Sequence, residues 1–175
     1  VSDTMPEIIA MIGEIIKNGA AYVVDGEVFF EVEKADHYGK LSKKDLDGLQ
    51  AGQRAEVDKR KKHFSDFVLW KPAKPGEPFW DSPWSKGRPG WHIECSAMAK
   101  KFLGDTLDLH HGGVDLMFPH HENEIAQSEA ANGKKFCNCW AHHEFVNFGS
   151  EKMSKSLGNV ITTRAFIEKF GGQVL

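Results

Sequence analysis

Two short clusters carry the residue types that bind soft metal ions. Gly90-Trp91-His92-Ile93-Glu94-Cys95-Ser96 holds a thiol, and Phe118-Pro119-His120-His121-Glu122-Asn123-Glu124 holds imidazoles and carboxylates. Cys95, His120 and Glu124 together supply three ligand types that zinc accepts. His120 and Glu124 stand four apart, so a helix puts both on one face, aimed at one point. Three protein ligands leave a fourth position open, which marks a catalytic or substrate-binding zinc rather than a closed structural one. A substrate thiol at that position would lose its proton and become a strong ligand. Each residue alone has a plainer reading, since a lone Cys is usually a small buried hydrophobe and a lone His near a helix start a cap. Their company favours the metal. His110, His111, His121, Glu94 and Glu122 are rival ligands that spacing does not exclude. Cys137-Asn138-Cys139 looks like half of a structural zinc site, but no second Cys pair accompanies it, so these two read as packing thiols.

Farther along comes Glu151-Lys152-Met153-Ser154-Lys155-Ser156-Leu157-Gly158. Lys152 and Lys155 can point toward one anion, and their ammonium groups would neutralise charge growing on a departing pyrophosphate. Gly149 and Gly158 bracket the segment, as suits a loop that closes over a ligand. A solvated Lys/Ser loop is the bland alternative. A thiolate-bearing metal site beside a phosphate loop suggests an enzyme that activates a thiol-containing substrate with a nucleotide.

These residues need elements to hold them. Thr4-Met5-Pro6-Glu7 reads as a capping box, followed by Ile8, Ile9, Met11, Ile12, Ile15 and Ile16 at helical spacing, with Asn18-Gly19 as the stop. Two strands, 21–24 and 28–32, flank Asp25-Gly26, a dipeptide that tolerates the positive φ of a tight hairpin. Residues 35–65 are polar and turn-rich, with a short helix expected around Ser42–Gly48. Lys71 to Gly90, rich in Pro, Gly and Trp, reads as a boundary loop rather than a packed element. Beyond it a helix through Ile93, Ala97, Met98 and Phe102 ends at Gly104, and Thr106–His110 reads as a buried strand before Gly112-Gly113. A helix from about His120 to Ala131 stops at Asn132-Gly133; Trp140 to Phe148 is mainly strand-like, and Thr163 to Phe170 is a capped helix. Alternating strands and helices imply an α/β fold with a parallel sheet covered by helices, whose ligands collect beyond the carboxyl ends of the strands. The expected division falls near residue 80, with a helix and hairpin over 1–80 and the metal and lysine motifs over 81–175.

Composition bounds the rest. With 175 residues, 41% of them hydrophobic, there is enough apolar material for a real core. A net charge of −3 gives no general attraction to nucleic acid. Local contact would fall to Lys59-Arg60-Lys61-Lys62-His63, which reads equally well as a solvated face. Three cysteines make no disulfide framework and point to a reducing cytoplasm. No apolar stretch approaches the ~18 residues of a membrane span, so neither a span nor a signal peptide is expected from these residues. A start at Val1 and a stop just after a helical run suggest a piece cut from something longer.

Together these strings resemble the cysteinyl-tRNA synthetase family, of the class I aminoacyl-tRNA synthetases. Lys152-Met153-Ser154-Lys155-Ser156 is similar to the class I signature. Residues 90–98 and 115–124 look specific to the cysteine enzyme, while Tyr38-Gly39-Lys40-Leu41-Ser42, Leu49-Gln50-Ala51-Gly52 and 66–71 look like its connective insertion. The resemblance implies a small α+β connective insertion over 1–80 and, over 81–175, the second half of a Rossmann-type catalytic domain. That domain would join cysteine to ATP, accompanied by Mg2+, as cysteinyl-adenylate, then transfer cysteine to tRNA(Cys). It implies zinc on Cys95, His120 and Glu124, a cysteine pocket containing Trp91 and His110, and ATP contact by Lys155 assisted by Lys152. Zinc–thiolate bonding separates cysteine from the near-isosteric serine without an editing site. The family's first zinc ligand (a Cys in the amino-terminal half), its His-Ile-Gly-His motif and its anticodon-binding helices have no counterpart here. The chain alone is therefore expected to be inactive. Two alternatives remain: a zinc-dependent ligase joining cysteine to an amino sugar, which amino-sugar-dependent AMP release would reveal, and a non-catalytic zinc module that binds RNA. Salt-sensitive tRNA binding without adenylate formation would mark the second.

Overall fold

The structure, a computed structural model, describes residues 1–44, 58–145, 147–148, 151–154 and 156–174. Most of the helix expected around Ser42–Gly48 lies outside them. The chain divides into two compact units, Val1–His142 and His143–Leu175.

In the first unit, helix α1 (Met5–Lys17) buries Ile8, Ile12 and Ile15 along one stripe, as its spacing requires. The capping box does not form. A short 3-10 turn over Ser2–Thr4 directs the Thr4 hydroxyl back to the Val1 carbonyl, 2.8 Å away. Glu7 instead pairs with Lys101, 2.6 Å away. Strands β1 (Ala21–Val24) and β2 (Glu27–Phe30) form the expected antiparallel hairpin, and β3 (Phe67–Pro72) pairs with the other edge of β2.

The segment expected as a boundary loop contains a fourth strand, β4 (Gly87–Pro89), antiparallel to β3. The glycines that suggest a loop permit this approach. A Cβ on Gly87 would lie 2.3 Å from the Lys71 carbonyl oxygen, and one on Gly90 would lie 2.0 Å from that of Val68. The basic run is strapped across the hairpin: Arg60 pairs with Glu27 at 2.7 Å, and Lys62 pairs with Glu31 at 2.7 Å while lying over the Tyr22 ring. Those two cations are engaged within the fold. Buried Asp66 locks the same region, accepting from the Tyr22 hydroxyl and the Val32 and His63 amides.

Gly90 leads directly into helix α2 (Trp91–Leu103), which ends at Gly104. After strand β5 (Leu107–Gly113) an irregular turn over Met117–His121, with a cis Phe118-Pro119 bond, precedes helix α3 (Glu122–Asn132). Strand β6 (Cys137–His143) returns parallel to β5: the Leu107 amide donates to the Phe136 carbonyl at the start, and His110 meets Trp140 farther along. This β5–α3–β6 crossover is the parallel α/β unit expected. The expectation of a buried strand needs correction, since Leu107 is buried while Leu109 is exposed on the two-stranded sheet. Helices α1, α2 and α3 pack on one another, and their apolar sides meet Val28, Phe30, Leu69 and Trp70 in one core.

In the second unit, β7 (Asn147–Phe148) and β8 (Glu151–Lys152) pair antiparallel. The Ser154 amide then donates to Asn159 Oδ1, and the Leu157 amide to Ser154 Oγ, folding the serine-rich segment into a turn. Helix α4 (Thr163–Phe170) is capped by the Thr162 hydroxyl, which accepts from the Ala165 amide.

Candidate metal centre

Helix α3 is an unusual one to bury. Its first seven residues, Glu122 to Ser128, are all buried, four of them being Glu, Asn or Gln. Such a helix is tolerated only when its polar groups find partners. Glu122 accepts the amides of Gly39, Leu41 and Ser42, holding that segment against the helix, and Asn123 is hydrogen-bonded by the Tyr38 hydroxyl. Gln127 donates to Ser96 at 2.9 Å, fastening α3 to α2 beside Cys95. On the remaining side Glu124, 1% exposed, faces histidines.

His120 Nε2 lies 2.9 Å from Glu124 Oε1 and His110 Nε2 lies 3.0 Å from Glu124 Oε2. The His110 nitrogen and the second carboxylate oxygen, although close, are angled so that neither completes a hydrogen bond. Burial raises the Glu124 carboxyl, and the His110 and His120 rings outweigh it, holding the group below the ordinary carboxylate range. Cys95 approaches from α2, and the ligand atoms of Cys95, His120 and Glu124 all lie within 4.8 Å of one another. Burial, with Glu124 and Glu94 nearby, pushes the Cys95 thiol up to about 11. A thiol, a histidine and an anionic carboxylate with an unpaired oxygen form a donor set that fits zinc. No helix among the described residues is long and apolar enough to cross a membrane.

The rival ligands separate. His110, His121 and Glu124 form a second such group, sharing the carboxylate. Neither group contains His111, Glu94 or Glu122. Glu122 is occupied by backbone amides, and Glu94 lines a different cavity with Arg88, Trp80 and Met5. Gly112 presses on the His121 ring, where a Cβ would come within 2.8 Å of Cε1. Trp91 is 61% exposed with its ring centroid 4.5 Å from that of His120, and His110 Nε2 lies 3.0 Å from Glu124, so the two residues expected in a substrate pocket both adjoin the candidate ligand group. Cys137 is buried with its thiol turned to the Cys139 carbonyl, consistent with a packing role. Lys152 falls in β8, and Lys155 lies outside the described residues.

Two histidines joined to this network went unnoticed in the sequence. His92 Nδ1 lies 2.8 Å from His120 Nδ1, and His142 Nε2 lies 2.8 Å from His121 Nδ1. Burial, then the neighbouring His120, lowers His92 to about 4, so it is neutral near pH 7. The His92/Cys95 spacing of one helical turn was a readable signal for the first. The second depends on β6 pairing alongside β5, which no local pattern reveals.

A crossover α/β fold with these motifs is that of a class I tRNA synthetase: the family model for the class I (C) catalytic domain matches residues 1–175, and the chain belongs to that family. Its Rossmann-like fold class follows. The chain is 62% identical over 174 residues to a cysteine–tRNA ligase of Geotalea uraniireducens, covering 99% of this chain and 35% of that protein. It is 60% identical to one from Geobacter metallireducens, covering 99% and 36%, and 61% identical over 170 residues to one from Pelotomaculum thermopropionicum, covering 97% and 35%. The chain thus spans little more than a third of the length of these relatives.

Proposed function

We propose that the protein carrying this chain ligates cysteine to tRNA(Cys), and that the chain supplies its metal centre and part of its ATP site. The carrying observation is the convergence of Cys95, His120 and Glu124 within 4.8 Å, in a chain whose relatives bear the name cysteine–tRNA ligase. Cys95, His120 and Glu124 would hold zinc, which when bound supplies a Lewis-acidic position for the substrate thiolate. Trp91, exposed beside His120, and His110, beside Glu124, would line the pocket for the substrate side chain. Residues 1–80 act as the connective insertion and 81–175 as the catalytic part.

In the first step the cysteine carboxylate attacks the α-phosphorus of ATP, which carries Mg2+. The bond to pyrophosphate breaks, leaving cysteinyl-adenylate. Lys155, assisted by Lys152, neutralises the charge developing on that leaving group. In the second step a terminal ribose hydroxyl of tRNA attacks the adenylate carbonyl and AMP departs. Within the same motif the Ser154 amide donates to Asn159 and the Leu157 amide to Ser154, tying those three residues together. A reducing cytoplasm suits a ligand thiol that must stay free. The test is cysteine-dependent ATP–pyrophosphate exchange by the intact protein, with serine as the competitor. Exchange with cysteine alone is expected; no exchange, or equal exchange with serine, overturns the reading.

A further inference from the structure

The metal reading gives His92 no task, yet His92 holds one of the two ring nitrogens of His120. The Nε2 of His120 faces the Glu124 carboxylate at 2.9 Å, and Glu124 joins His120 and Cys95 in the candidate ligand group. The Nδ1 points the other way, 2.8 Å from His92 Nδ1. Both ring nitrogens are thus engaged, which restrains the ring. His92 is itself restrained, with the Phe67 ring edge-on at 5.8 Å and Trp91 beside it at 5.3 Å. It sits one turn before Cys95 on α2. A single helix therefore presents both a candidate ligand and the partner of a ligand that comes from the turn before α3.

We propose that His92 is a positioning residue for the metal centre: through the Nδ1–Nδ1 hydrogen bond it fixes the orientation and tautomer of His120, leaving Nε2 available to the ion. This rests on the metal reading above. The proton bookkeeping is consistent in both states. With Nε2–H donated to Glu124, His120 Nδ1 is an acceptor and His92 Nδ1–H must donate to it. When Nε2 becomes a ligand, the His120 proton resides on Nδ1 and donates to His92 Nδ1, whose own proton moves to its other nitrogen. Imidazole serves both arrangements without moving. Outer partners of this kind typically change metal affinity by about 10–100-fold.

The experiment compares zinc affinity, by competition with a chromophoric chelator, in the intact protein and its His92→Leu and His92→Gln variants. Cobalt(II) absorption and metal-free thermal stability are measured on the same samples. Gln retains one donor and one acceptor on an amide that can flip, whereas Leu retains packing volume alone. The expected result is an affinity loss of about 10–100-fold for His92→Leu with an altered cobalt spectrum, substantial recovery in His92→Gln, and metal-free stability alike in both. Unchanged affinity in His92→Leu overturns the proposal while leaving the metal centre intact. Equal losses in both variants that track lowered metal-free stability assign His92 to packing and also overturn it. Wild-type protein that binds no zinc removes the metal reading itself, and this inference with it.

Discussion

Cys95 on α2 and Glu124 on α3 bring their ligand atoms within 4.8 Å of one another, with the Gln127–Ser96 hydrogen bond fastening the two helices alongside. Burial first, and then the neighbouring carboxylates, sets the protonation state of the thiol. Burial and the carboxylate hold Cys95 up at about 11, so at neutral pH the metal-free site carries a proton on sulfur. Zinc binds thiolate, so that proton must leave on binding. The sign is definite: below pH 11 the proton competes with the metal, and affinity rises with pH. Between pH 6 and 8, the apparent zinc association constant is expected to rise at least about tenfold per pH unit. Titration in two buffers of different ionisation enthalpy counts the released protons; a flat affinity profile sinks Cys95 as a ligand.

Cys95→Ala is expected to abolish tight zinc binding while leaving the metal-free fold within about 1 kcal/mol of wild type, because the thiol is half-buried. Metal analysis after dialysis against a mild chelator, with a denaturant titration alongside, separates the two quantities. Wild-type zinc content in the variant would take Cys95 out of the site.

Glu122, two residues from Glu124, has a structural task. Its carboxylate accepts three amides from Gly39, Leu41 and Ser42. Truncation to Ala strands those donors, and a loss of about 2–4 kcal/mol in stability is expected. Hydrogen exchange at the three amides reads the clamp directly. Unchanged protection there would show that other groups hold the segment.

Much of this was legible from local pattern. The Ile stripe of α1, the Asp25-Gly26 hairpin, the stop at Gly104 and the four-residue spacing of His120 and Glu124 all follow from periodicity and turn chemistry. The failures have tertiary causes. Pro, Gly and Trp between 71 and 90 signal a loop when read locally, but β3 needs a neighbour with no side chain at Gly87. Polar α3 has the composition of a surface helix, and only the amides of residues 39–42, distant in sequence, explain its burial. His142 reaches His121 only because β6 lies beside β5. The lysine motif was read from its string alone, since Lys155 falls outside the described residues.

Lys155→Ala in the intact protein is expected to slow cysteine-dependent pyrophosphate exchange by about 10²–10³-fold, the usual cost of removing one group that stabilises transition-state charge. Zinc content should not change, because none of the metal-centre residues belongs to its segment. Normal exchange would remove Lys155 from the ATP site, and loss of zinc would indicate that the variant had misfolded.

Gly90 is the joint that sets the direction of α2, and with it Trp91, His92 and Cys95. Its amide donates to the Leu69 carbonyl at 2.8 Å, so it is tied to β3. Its φ of −66° is ordinary, so any cost of a side chain there is steric. A Cβ would lie 2.0 Å from the Val68 carbonyl oxygen, backbone that cannot swing aside. Either β3 and α2 separate or the helix start tilts. Gly90→Ala is therefore expected to cost about 2–3 kcal/mol in denaturant titration, and to weaken zinc binding because Cys95 is carried on the displaced helix. If stability stays within about 0.5 kcal/mol of wild type, the strand and helix tolerate more separation than their packing implies. If stability falls while zinc affinity holds, the α3 side locates Cys95 through the Ser96–Gln127 link, independently of where the helix begins.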